Sequence, residues 1–480
     1  MSGRFNLVAG VDTSTQATKV LVVDPEDGRV VAKGRGAHEV TGSNGARETE
    51  PEIWWRALRT ALDETGRADD ISAISVAGQQ HGLVTLDGAG RPLRPAILWN
   101  DTRSAVEAQE LTQALGGREA WAERIGLVPV ASFTATRWAW LRRNEPASAD
   151  AARAVRLPHD FVTERLCGRG ATDRGDTSGT AWWSTRDEAY AGDVLDLIDL
   201  DPALLPDVLG PREPAGEVSS AVARELGLRG ATLVGPGTGD NMGAALGLGA
   251  TAGEPVVSLG TSGTAYAVMD DRAVDPSGTV AGFADASGRF LPLVATLNAT
   301  LAVDRVAGWL GLDREAAAER TTAVVLPYLD GERTPNLPRA AGMISGLRHA
   351  TTREEILLAA YEGAAASLVE ALDLLAEQGS GLDAAAPLLL VGGGARGGVW
   401  QRVVARLSGR AVQVPSADEL AALGAAAQAT ACLSSEAPEE VARRWGTRSG
   451  ITVDPPAERD TETLDRIRAT RAAALGLLEG

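Results

Sequence analysis

The chain has 480 residues, 44% of them apolar and 23% charged, with a formal net charge of −18. That length exceeds one typical core and predicts two large domains, and the acidity excludes a nucleic-acid surface, which needs a basic patch. No apolar run of about 18 residues predicts a membrane span, and the opening MSGRFNLVAGVD has no signal-peptide core. Two distant cysteines, Cys167 and Cys432, suit a reducing cytoplasm and form no metal-ligand pattern.

The first predicted element is VAGVDTSTQATKVLVVD (8–24), in which β-branched runs flank a knot of hydroxyls. This predicts a hairpin. An ordinary polar turn would read the same, yet turn amides and hydroxyls can also cradle a phosphate. The Walker order is absent. Asp12 stands at the entrance, and Lys19, one of only two lysines in the chain, starts the returning strand. PEIWWRALRTALDETG (51–66) predicts a helix leading into ISAISVAGQQHG (71–82), a strand whose polar end presents Gln80 and His81. LWNDTR (98–103) adds Trp99 and Asn100. Amides for hydroxyls and an aromatic face for C–H edges together suit a polyol, although a lone tryptophan such as Trp99 more simply fills a core.

ATLVGPGTGDNMGAALGLGA (231–250) reads as a strand, a glycine turn and a small-residue helix that starts at Asp240 and Asn241. An acid there is a good helix cap. In a turn of glycines that lets a substrate approach the backbone, it can also take a hydroxyl proton, being ionised at neutral pH with a reference pKa of about 3.9. VVSLGTSGTAYAVMD (256–270) then repeats the opening pattern. Setting Thr15 on Thr261 aligns Asp24 with Asp270 and Asp12 with Ser258.

A half-chain spacing predicts two domains on one plan, 1–248 and 249–480, with 102–230 and 272–340 as insertions. EEILLAAYEGAAASLVEALDLLAEQG (354–379) predicts a core-facing helix. LLLVGGGARGGVWQRVVARLSG (388–409) predicts a strand, a glycine turn and a helix suited to a base and ribose. Strands alternating with helices give the α/β class with central sheets. Two such hairpins facing across a cleft would grip a polyphosphate, and closure would exclude water.

Three longer stretches are similar to the FGGY carbohydrate kinases, xylulokinase group. SFTATRWAWLRRN (132–144) resembles the family's first signature, with Arg137 where lysine is usual, and GMISGLRHATTREEILLAAYE (342–362) matches the second. LPYLDGERTPNLPRAAG (326–342) is equally characteristic.

The resemblance implies an actin-like (ribonuclease H-like) ATPase fold of two duplicated domains with a nucleotide/sugar cleft. It implies ATP with Mg²⁺, and phosphate transfer to a ketose or polyol hydroxyl, D-xylulose foremost. By it, Asp240 is the general base and Asp12 the phosphate-loop acid that reaches the metal through water. Gln80, His81, Trp99, Asn100, Asp240 and Asn241 are implied to contact the sugar. Thr13, Ser14, Thr15, Lys19, Gly260, Thr261, Ser262, Gly393, Gly394 and Ala395 are implied to contact ATP.

The sequence departs from the family where D-L-G-T-S-G-x-K is usual, reading Asp12-Thr13-Ser14-Thr15-Gln16-Ala17-Thr18-Lys19, and Gln80 stands where methionine is common. A kinase for ribulose or a sugar alcohol is the alternative within the family. A sugar-independent actin-like ATPase would have no reason for Gln80-His81, Trp99 and Asn241. The expected partners are a sugar and ATP, with no nucleic acid or membrane; the expected location is the cytoplasm, and a homodimer is compatible with all of this.

Overall fold

A computed structural model describes residues 6–434 and 436–478. They form two compact α/β units. The first runs to Ala250 and takes in Asp271–Leu291 and Asp418–Thr447; the second comprises Thr251–Asp270, Pro292–Ala417 and the chain from Arg448 on. No helix among the described residues is long and apolar enough to cross a membrane.

In the first unit β1 (Leu7–Thr13), β2 (Ala17–Val23), β3 (Val30–Ala37), β4 (Ile71–Gly78), β5 (Gly216–Glu217) and β6 (Leu233–Val234) are ordered β5-β6-β4-β1-β2-β3, and β7 (Thr238–Gly239) also pairs with β4. β1 is antiparallel to β2 and parallel to β4, so the turns after β1 and β4 emerge side by side. One sheet face is covered by helix Glu52–Thr65, which buries Trp54, Trp55, Leu58 and Leu62 against Val11, Val20, Val22 and Val76. Gly34 and Gly36 permit the close approach, since a β-carbon at either would run into the Ala61 or Ala57 carbonyl.

The other face carries helix Leu420–Leu433. A β-carbon on Gly10 would strike the Ala422 carbonyl, and one on Gly424 the carbonyl of Gly243 in helix Asp240–Gly247. Gln428 fixes the arrangement, accepting from Ser75 Oγ at 3.1 Å and donating to the Gly237 carbonyl at 3.0 Å. Residues 418–447 therefore belong with the first unit, where the contiguous division at 248/249 assigns them to the second. The alanines and glycines of this helix are small because β1 and helix Asp240–Gly247 both press on it.

In the second unit β8 (Pro255–Leu259), β9 (Gly263–Ala267), β10 (Phe290–Thr296), β11 (Leu388–Val391), β12 (Val412–Pro415) and β13 (Gly450–Val453) are ordered β10-β9-β8-β11-β12-β13. β8 is antiparallel to β9 and parallel to β11, which repeats the plan of β1, β2 and β4. The turn-closing pairs are Thr13–Thr18 in the first unit and Leu259–Gly263 in the second, so the second turn is shorter by one residue. Asp12 and Ser258 still correspond, but the residue opposite Asp12 is Lys19 and the residue opposite Ser258 is Thr264. Helix Arg353–Ala376 starts at a capping box in which Thr352 and Glu355 satisfy each other's backbone amides.

Candidate active site

The turns after β1 and β4, and the start of helix Asp240–Gly247, converge within the first unit. Asp12 ends up 5% exposed near the end of β1. Its Oδ2 accepts from Ser14 Oγ at 2.6 Å and lies 3.6 Å from Lys19 Nζ, which itself sits 2.6 Å from Glu419 Oε2. Burial raises the Asp12 carboxyl above its ordinary range, against the pull of Lys19 and Ser14.

Asp240 is the first helical residue; Gly239 occupies the cap position, so its carboxylate is not engaged as the helix cap. Oδ1 accepts from the Asn241 amide N at 2.8 Å and from Asn241 Nδ2 at 2.9 Å. Desolvation, then the charge of Asp12, push its pKa up to about 7. A carboxylate that titrates there is matched to general-base work near neutral pH.

Asn241 Nδ2 also donates to Gln80 Oε1 at 2.9 Å, which joins Asp240 to the β4 turn. Gln80 Nε2 and Asn100 Oδ1 are buried with no protein partner, a donor and an acceptor left for a ligand.

His81 lies in the left-handed region at φ 66°, a conformation that costs a non-glycine residue roughly 1 kcal/mol. Surroundings hold it there. Its carbonyl accepts from Thr134 Oγ1 at 3.1 Å and from Arg137 at 2.6 Å, and its ring packs on Phe133 and Phe283 at centroid distances of 5.2 and 5.6 Å. Arg137, 1% exposed, also donates to the carbonyls of Ser132 and Trp99, the latter at 2.7 Å. The rigid guanidinium fork reaches these carbonyls from two nitrogens, Nη1 to His81 and Ser132 and Nη2 to Trp99, whereas a lysine would have to serve all three from one point. Half-buried Trp99 is turned toward the hairpin, its Nε1 donating to Thr15 Oγ1 at 3.2 Å.

Two expected ATP contacts offer no side chain at the surface. Thr13 is fully buried, its hydroxyl 3.4 Å from that of Thr18, and Ala395 is 2% exposed with its carbonyl taken by Gln401. In the second unit Gly260 and Thr261 are exposed and Ser262 half-buried. Thr300 Oγ1 and its backbone amide donate to the Gly260 carbonyl, steadying that turn. Because Ser258 pairs with Val391, the 260–262 and 392–395 turns leave the sheet together, and Gly393 has open space beside it.

Sequence reading missed Glu419, whose partner Lys19 is 400 residues away, and His159, which no motif marks. His159 backs both turns, its backbone and β-carbon against Gly78 and its ring against Gly237. Burial opposes its charge, but the carboxylates of Asp160, Asp176 and Asp173, at 3.1, 3.4 and 3.5 Å, hold its pKa up at about 9.

Asp12 fits a magnesium ion held through water. Its Oδ1 is buried and has no partner, and no group of three or more metal-ligating side chains occurs among the described residues. Magnesium commonly takes one or two carboxylates and completes its shell with water and substrate phosphates.

Residues 7–247 match the N-terminal domain, and 256–432 the C-terminal domain, of the FGGY family of carbohydrate kinases. The chain is 59% identical over 474 residues to the xylulose kinase of Streptomyces rubiginosus, covering 98% of this chain and 97% of that one. Its fold resembles the crystal structure of xylulose kinase from Bifidobacterium adolescentis, with a TM-score of 0.83 at 34% identity, covering 97% and 99% of the two chains. The same holds for a crystal structure from Brucella ovis, described as a xyloylose kinase, with a TM-score of 0.91 at 29% identity, covering 98% and 100%. The two matched domains span most of the chain, and the protein belongs to the FGGY family of carbohydrate kinases.

Proposed function

We propose that this carbohydrate kinase transfers the γ-phosphate of ATP to D-xylulose, giving D-xylulose 5-phosphate, with Asp240 as general base. The observation that carries the reading is the coupled pair of buried acids. Asp240 is held near pKa 7 by burial and by Asp12, and Asn241 links it to Gln80. Relatives named xylulose kinase at 59% and 58% identity over nearly the whole chain favour D-xylulose over ribulose or a sugar alcohol.

Phosphoryl transfer is mostly positioning and charge stabilisation. Gln80, His81 and Asn100 orient the sugar by its hydroxyls, and Asp240 takes the proton of the acceptor hydroxyl. Ser14, Thr15 and Lys19 in the first unit, with Thr261, Ser262 and the 392–395 turn in the second, bind the nucleotide. Mg²⁺ would be held by Asp12 through water and would neutralise phosphate charge. Cys167 and Cys432 are free thiols rather than a disulfide, which suits a reducing cytoplasm, where we place the enzyme.

A coupled ADP-release assay across pentuloses, hexuloses and polyols tests the reading. D-xylulose should give the highest kcat/KM; a better ribulose or polyol substrate would keep the kinase and overturn the sugar. ATP turnover indifferent to every sugar would overturn both.

A further inference from the structure

We propose that Glu419 is a positioning residue for phosphoryl transfer, holding the Lys19 ammonium in place beside Asp12. The inference rests on the reading of Asp12 and Lys19 as the phosphate-side residues. Lys19 carries a compact charge on a flexible four-carbon stem, and its side chain is 28% exposed. With Asp12 as its sole anchor, it would collapse onto that carboxylate. Glu419 instead takes the close contact, at 2.6 Å, and leaves Asp12 Oδ2 3.6 Å away. Ser14 fills the vacated hydrogen-bond position on Asp12 at 2.6 Å. The ammonium is thereby kept next to the phosphate-loop acid without being locked to it.

The backbone at Glu419 points the same way. It adopts φ 55° and ψ 49°, the left-handed conformation that favours glycine or asparagine. It also occupies the cap position of helix Leu420–Leu433, yet its side chain caps nothing. Ser, Thr, Asn, Asp or Gly would serve that position better locally. What glutamate adds is reach, and the reach ends on Lys19. Strain kept at such a place marks a functional constraint. The support is firm, because the same helix is tied to Ser75 and to the Gly237 carbonyl through Gln428. One helix thus steadies the lysine at its start and, further along, the turn that leads to Asp240.

The test is a double-mutant cycle of Glu419→Ala and Lys19→Ala, with Glu419→Gln and Glu419→Gly alongside. It is read by kcat, by KM for ATP and for D-xylulose, and by melting temperature. Glu419→Ala should lower kcat by about 10- to 100-fold, the scale of a small misplacement of a reacting group, and leave the KM for D-xylulose within about twofold. In the Lys19→Ala background the same change should move kcat by less than about twofold, because the residue it acts through is gone. Glu419→Gln, which keeps an acceptor oxygen without the charge, should fall between wild type and Glu419→Ala. Glu419→Gly, which relieves the backbone, should melt no lower than wild type while losing activity as Glu419→Ala does. A merely structural role predicts the opposite pairing of stability and rate. Wild-type kcat in Glu419→Ala, or additive losses in the cycle, would overturn the proposal while the reading of Lys19 stood. Wild-type kcat in Lys19→Ala would overturn that reading and the proposal with it.

Discussion

In the first unit β1 and β2 set Asp12 opposite Lys19; in the second β8 and β9 set Ser258 opposite Thr264. Both pairs stand beside a parallel strand whose following turn emerges at the same edge. The backbone plan is therefore common and the chemistry is not. The first hairpin concentrates charge, with two acids near an ammonium in a mostly buried setting, while the second offers exposed glycine and hydroxyl groups on a turn that helix Thr300–Leu310 steadies. Burial raises the pKa of a carboxyl and strengthens electrostatic action. An exposed neutral turn can hold an anion without perturbing it. In the proposed function, one copy of the plan acts on the reacting atoms and the other holds the nucleotide.

The comparison breaks most visibly at Asp240. We expect Asp240→Asn to lower kcat by about 10²- to 10⁴-fold while D-xylulose binding, measured by calorimetry, stays within a few-fold. A variant turning over at near wild-type rate would remove Asp240 as the base. The same variant should melt higher than wild type at neutral pH. The folded carboxyl has a raised pKa, so ionising it between its unfolded value and about 7 lowers stability as pH rises, and asparagine escapes that cost. Next in size is Asp12→Ala, expected to lose about 10²-fold in kcat and to shift the magnesium dependence of the rate. A defect confined to the KM for D-xylulose would contradict its phosphate-side role.

The pH profile sharpens the contrast. As pH falls through about 7, Asp240 takes up a proton, so kcat/KM for D-xylulose should drop by about tenfold per unit at lower pH. An acid limb near pH 4 would mean that the pair of acids is not coupled in the working enzyme. His81→Ala should cost about 10- to 100-fold in kcat/KM for D-xylulose, from the roughly 1–3 kcal/mol lost when a buried polar partner disappears. ATP hydrolysis without sugar should suffer less, and equal losses would make His81 a scaffold residue. Smallest of all, Thr261→Ala in the second hairpin should raise the KM for ATP by about 2- to 10-fold, the worth of one net hydrogen bond. A kcat loss there as large as that of Asp12→Ala would dissolve the distinction between the hairpins.

Much of this organisation can be read from the sequence, because hairpins, strand–turn pairs and capped helices write themselves locally. Asp12, Gln80, Asn100, Asp240 and Asn241 all stand at strand or helix ends, where a polar residue after an apolar run is conspicuous. What covers a strand is another matter. β1 is buried along its whole length, so no alternation tells which way Asp12 and Thr13 point, and Thr13 turns out to brace Thr18. Nor does the pattern show that Gly10 awaits a helix from residues 420–433, or that Glu419 reaches Lys19 from 400 positions away. Aligning Thr15 with Thr261 finds the repeat but hides the shorter second turn, which shows only in the register.

The late return of residues 418–447 to the first unit has a consequence for the order in which the protein is made. While a ribosome adds about 5–20 residues per second, residue 248 precedes residue 447 by roughly 10–40 s. Throughout that interval the nascent first sheet shows a bare face at Gly10, and Ser75 and the Gly237 carbonyl lack the glutamine that will satisfy them. A fragment ending near residue 248 would remain in that state indefinitely, sticky and short of its base-bearing geometry. Supplying Asp418–Thr447 as a separate peptide is the natural way to complete it.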